Sequence, residues 1–72
     1  MTPLQIDIIK RMREGWRLTQ DLCLKPPPGL DAQIIVVYRQ TITALHNRKL
    51  ICMNVYHSAW ILTEDGKTGA LI

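Results

Sequence analysis

The sequence predicts one small, mainly α-helical domain closed by a β-hairpin, spanning residues 1–72. Three observations predict it. A helix-start signal, "TPLQ" at Thr2–Gln5, precedes an apolar face at helical spacing. A second helical stripe, Ile34, Tyr38, Ile42 and Leu45, runs through "DAQIIVVYRQTITALHN". Two alternating segments, "LICMNVY" and "SAWIL", meet at a tight turn near His57–Ser58. Helical spacing places apolar side chains on one stripe, and strict alternation places them on one sheet face.

Helix one starts at Thr2. Its hydroxyl can cap, Pro3 suits the first helical position, and Gln5 sits three residues after the cap. Leu4, Ile8 and Met12 form the apolar face, widened by Ile6 and Ile9. So wide an arc suits contact with more than one neighbour or with a second subunit. Asp7 with Arg11 and Lys10 with Glu14 are spaced for i,i+4 pairs, and Gly15 for a C-terminal stop. "WRLT", Trp16–Thr19, is short and alternating and reads as a brief strand or extended link, with Trp16 closing the sheet against helix one. Thr19 is placed to cap a second short helix, "QDLCL", with Asp21 in its first turn. Lys25 and "PPPG" end it, since three prolines make a stiff connector; a ligand for a proline-binding groove is the competing use.

Helix three is expected from Asp31 to Asn47. The β-branched and aromatic run Ile34–Tyr38 also suits a strand; continuation of the helical stripe past it favours the helix. In the hairpin, Ile51, Met53 and Val55 share one face and Cys52, Asn54 and Tyr56 the other, with Trp60 filling the core beneath. "TEDGK" offers Thr63 as a cap followed by acidic residues, soon interrupted by Gly66 and Gly69.

Composition narrows the function classes. The hydrophobic share of 47% argues against disorder, and a net charge of +3 with pI about 9.2 permits nucleic-acid binding. No apolar run approaches the ~20 residues of a membrane helix, and no basic-then-apolar signal pattern opens the chain, so a cytoplasmic protein without membrane partner is expected. Cys23 and Cys52 read as buried thiols rather than a disulfide. His46 and His57 are isolated, with His46 at the edge of the core, and no zinc spacing, phosphate loop or serine–histidine–acid set is present. No enzyme activity, metal or cofactor is therefore expected.

The order helix, short strand, helix, helix, hairpin resembles the winged-helix (winged helix-turn-helix) DNA-binding family. "TALHNRKLI" is similar to the family's end of the third helix, and "WILTEDGK" to its exit from the wing, over about Leu4 to Lys67. Lys49 stands where the family usually has glycine. It would have to accept the helix-ending conformation at ~1 kcal/mol. The resemblance implies three helices plus a two- or three-stranded antiparallel wing. It further implies a transcriptional regulator whose third helix reads the major groove of double-stranded DNA; since one helix in one groove of so small a chain gives modest affinity, a homodimer on paired half-sites is expected. Opposite the apolar stripe, the reading face would be Gln33, Val36, Arg39, Gln40, Thr43 and Asn47, residue types suited to base edges. Arg17, Thr19 and Gln20 would approach the backbone, Lys25, Arg48 and Lys49 the phosphates, and His57 and Ser58 at the wing tip a phosphate or the minor groove. The short uncharged wing and the proline link suit a rival reading, a protein-interaction module acting as adaptor or inhibitor. Size and charge also fit a phage- or mobile-element-derived protein.

Overall fold

The computed structural model describes residues 2–56 and 58–69. The chain runs α1 (Pro3–Arg13), β1 (Arg17–Thr19), β2 (Cys23–Lys25), β3 (Ile35–Val36), α2 (Arg39–Asn47), β4 (Ile51–Asn54), β5 (Ala59–Leu62) and α3 (Glu64–Thr68). The strands form one antiparallel five-stranded sheet in the order β3-β2-β1-β5-β4. The expected mainly α fold with a small hairpin is thus corrected to an α/β arrangement of three short helices and a sheet.

Two segments account for the difference. The expected helix "QDLCL" is instead a turn and strand β2. Leu22 takes a left-handed φ of 64°, which no helix interior accepts. Lys25 precedes Pro26, whose ring clashes with an α-helical residue before it and holds Lys25 extended. Thr19 then organises the turn rather than capping a helix: its hydroxyl donates to the Asp21 carboxylate, with the Cys23 carbonyl as an alternative acceptor 3.1 Å away. That hydroxyl holds the Asp21 carboxyl below its ordinary pKa against an opposing desolvation, and the Lys25 ammonium at 3.9 Å adds a lesser lowering.

The second segment is Asp31–Tyr38. Helix α2 begins only at Arg39, with Tyr38 as an extended N-cap. Ile35–Val36 pair with β2, and the Val37 N–H donates to the Leu22 carbonyl at 2.8 Å. A helix here would leave that partly buried carbonyl without its donor. Of the expected inward stripe, Ile42 and Leu45 are buried, whereas Ile34 (55% exposed) and Tyr38 (73%) face solvent.

Elsewhere the local signals hold. Thr2 and Gln5 form a reciprocal capping box on α1, and Asp7 pairs with Arg11 at 2.9 Å. No Lys10–Glu14 ion pair forms; Glu14 is the C-cap, its N–H turned back to the carbonyls of the last turn. Both long helices end in the same hydrogen-bond pattern. Gly15 (φ 107°) bonds Met12 and Trp16 bonds Arg11; Lys49 (φ 61°) bonds His46 and Leu50 bonds Leu45. This is the Schellman stop, with a left-handed residue just past the helix. Lys49→Gly is therefore expected to stabilise the protein by ~0.5–1 kcal/mol by relieving the Cβ strain. A thermal midpoint raised by a few degrees would show it; a lowered one would refute the strain.

The registers place Leu18, Leu24, Ile35, Ile51, Met53, Trp60 and Leu62 on one sheet face. Except for Met53, all belong to or pack on the core, together with Ile8, Ile9 and Met12 of α1 and Ile42 and Leu45 of α2. The helices therefore cover this face. The other face carries Arg17, Thr19, Cys23, Lys25, Val36, Cys52, Asn54, Ala59 and Ile61. Trp16 is buried beneath the Arg11 guanidinium, 4.8 Å above its ring. Cys23 and Cys52 are free, half-buried thiols on separate strands. Among the described residues no helix is long and apolar enough to cross a membrane.

Candidate functional site

Helix α2 presents the most distinctive polar surface. Its sequence alternates between the core and solvent at 3.6-residue spacing, so burying Ile42 and Leu45 turns Arg39, Gln40, Thr43 and Asn47 outward. All four are exposed, and with Ala44 they line one shallow groove along the helix. Arg48 and Lys49 follow at the C-terminal end, both exposed. Cations there also meet the negative end of the helix dipole favourably.

Charge is distributed unevenly along the chain. No Asp or Glu lies between Asp31 and Glu64, where Arg39, Arg48 and Lys49 stand. The other six basic residues match six acidic ones, so the whole net charge of +3 belongs to this segment.

Beside α2, on its β1–β2 side, runs a cleft of about 260 Å³. Its rim is Gln20, Arg39, Thr43 and His46, and its floor Leu22, Ile42, Met53 and Trp60. The Gln20 amide donates to the Met53 sulfur at 3.5 Å, which ties the β1–β2 turn to the end of the sheet. His46 is exposed, its ring tilted 59° against Trp60 at 5.2 Å between centroids. Trp60 is accordingly half-buried rather than sealed beneath the hairpin.

The sequence-derived candidates separate into groups. Arg39, Gln40, Thr43, Asn47, Arg48 and Lys49 stand together on α2 and its end. Gln20 joins them across the cleft. Gln33 and Val36 do not share the helix face; Gln33 precedes β3, and Val36 is 70% exposed on the outer face of β3. Arg17 and Thr19 lie on that same outer face, lining a second cleft with Met12, Trp16 and Ile61, away from α2. Lys25 leans toward Asp21. Ser58 (φ 51°) is exposed in the β4–β5 turn, and His57 lies outside the described residues.

Sequence reasoning missed His46 and Ala44 as members of this surface. The signal was present: Arg39, Thr43 and His46 fall at i, i+4 and i+7, a stripe adjoining the outward one. No family model matches the chain, no curated protein matches it, and no solved structure matches it.

Proposed function

We propose that this protein binds double-stranded DNA by laying the outward face of α2 in the major groove, and acts as a cytoplasmic transcriptional regulator. The observation that carries the reading is the chemistry of that face. Arg39, Gln40, Thr43 and Asn47 project from one exposed stripe in a segment free of acidic residues. Arginine pairs with guanine, glutamine and asparagine with adenine, and the threonine methyl with thymine. Nine helical residues span ~13 Å, enough to cross a groove ~12 Å wide. Arg48 and Lys49 stand at the helix end as phosphate contacts, and Gln20 approaches from the adjacent turn.

The test is fluorescence anisotropy of a labelled random-sequence duplex titrated with protein at low and moderate salt. Binding is expected at low salt, with log K falling by ~0.9 per phosphate contact for each unit of log salt. On a selected site, Arg39→Ala should cost ~1–3 kcal/mol. A flat titration at low salt would remove DNA from consideration. It would favour a protein-interaction module, for which the exposed Val36, Tyr38, Val55 and Tyr56 supply apolar contact surface.

A further inference from the structure

Strand β3 forms one end of the sheet, so one side of its backbone is unpaired. Ile35 pairs with Leu24, Val36 with Cys23, and the Val37 N–H reaches Leu22. Backbone groups alternate sides along an antiparallel strand. Ile35 and Val37 therefore point to β2, and the N–H and C=O groups of Ile34 and Val36 point to the open edge. Edge strands are commonly guarded by shortness, lysine, proline or a bulge; at two residues β3 is short but carries none of the other guards. Here the edge is "IIVV", Ile34–Val37, without a charge, and the side chains of Ile34 and Val36 are 55% and 70% exposed.

The flanking residues say what fits this edge. Opposing the segment to itself about a two-fold axis through Ile35 puts Ile34 opposite Val36 on both sides of the axis. Both residues direct their backbone groups to the open edge, so each pair can exchange its two N–H···O bonds. Both side chains stand on the outer sheet face, where they would cover each other. The antiparallel arrangement brings the flank that carries Asp31 toward the flank of the second copy where Arg39 opens α2; these are the first charged residues on either side of the strand. A segment with an acid on its N-terminal flank and a base on its C-terminal flank is complementary in charge to an antiparallel copy of itself.

We propose that two copies of this chain associate through β3, antiparallel and centred on Ile35, continuing the sheet from one copy into the other. So short a contact makes a concentration-dependent dimer rather than an obligate one. Both α2 helices then lie on the same side of the joined sheet, with Arg39 at the junction. The pairing draws on Arg39, which the proposed DNA-reading face also uses, and it is tested without DNA so that the two readings fail separately.

The experiment is analytical ultracentrifugation of the full chain across micromolar to millimolar concentration. Reversible dimerisation is expected. Val36→Pro removes an N–H that β2 does not use, so it should leave a folded monomer at every concentration, folding being checked by circular dichroism. Asp31→Arg and Arg39→Asp should each weaken dimerisation about tenfold or more by opposing like charges, and the double variant D31R/R39D should restore it. Wild-type protein that remains monomeric throughout would overturn the proposal. So would single charge variants that dimerise as tightly as wild type, an outcome that decides the matter even if Val36→Pro fails to fold.

Discussion

Leu45→Ala is expected to remove about 3–4 kcal/mol of stability, close to half of what a domain this size possesses. Leu45 is 0% exposed on the inner side of α2 and belongs to the core cluster. Ile42 precedes it on that stripe, and in the Schellman stop its carbonyl accepts the Leu50 N–H at 3.2 Å. Truncating a buried leucine loses both its transfer free energy and the contacts around the cavity left behind, ~2–5 kcal/mol in well-packed cores. Total stability at ~0.05–0.15 kcal/mol per residue is only ~4–11 kcal/mol here. Chemical denaturation followed by tryptophan fluorescence measures the loss, with Trp60 near α2 as reporter. The orientation of the helix is tested by contrast. Thr43→Ala on the outer face should stay within ~0.5 kcal/mol of wild type. So should Tyr38→Ala, since Tyr38 is 73% exposed. A loss of several kcal/mol at Tyr38 would place it in the core and displace the start of α2.

Gly66→Ala is expected to destabilise the protein by about 3 kcal/mol, the reverse of what helix propensity alone implies. Alanine exceeds glycine by ~1 kcal/mol in an ordinary helix interior. Gly66, however, sits in α3 with its Cα against the chain that leaves α2. A Cβ there would meet the Leu50 carbonyl oxygen at 2.1 Å and the Leu62 side chain at 3.1 Å. That carbonyl cannot turn away freely, because it accepts the Thr63 N–H at 3.0 Å. Thr63 also donates its hydroxyl to the Lys49 carbonyl at 2.6 Å while capping the Gly66 N–H at 3.1 Å. From the other side, the Arg13 guanidinium donates to the carbonyls of Gly66 and Gly69, both at 2.8 Å. The methyl group must therefore push α3 off a site held by three segments, and overpacking of this kind costs ~1–3 kcal/mol or more. A thermal midpoint lowered by more than about 10 °C is the expected result for a domain of this size. An unchanged or raised midpoint would show that α3 does not approach Leu50 so closely. By its local sequence Gly66 is a helix breaker; in the fold it is the residue whose lack of a side chain lets α3 dock.

The candidate surface was legible in part. Arg39, Gln40, Thr43 and Asn47 were picked out by helical spacing, and that spacing survives because α2 itself is present from Arg39 onward. Extending the helix backward draws Gln33 and Val36 onto the same wheel, and they leave it because α2 begins only at Arg39. Arg17 and Thr19 were placed by the resemblance to a helix-turn-helix. With a turn and strand where its second helix would stand, they fall on the opposite sheet face from α2.

What the sequence determined by itself are the features whose causes lie within a few residues. The capping box of Thr2 and Gln5, the stop at Gly15, the left-handed Lys49, the β4–β5 hairpin and the Thr63 cap each depend on local sterics or a local hydrogen bond. What the tertiary structure decided is the state of Leu22–Lys25 and Ile34–Tyr38. Pro26 keeps Lys25 out of a helix, but neither segment is committed to a strand by its own propensities: the first is too short, and the second is apolar at both helical and alternating spacing. Each becomes a strand because the other is there to pair with it, Leu24 to Ile35 and Leu22 to Val37. Burying Leu24 and half-burying Ile35 then seals the end of a core that α1 and α2 alone would leave open. Backbone donors and acceptors at that depth need partners, and only the folded chain brings those partners together.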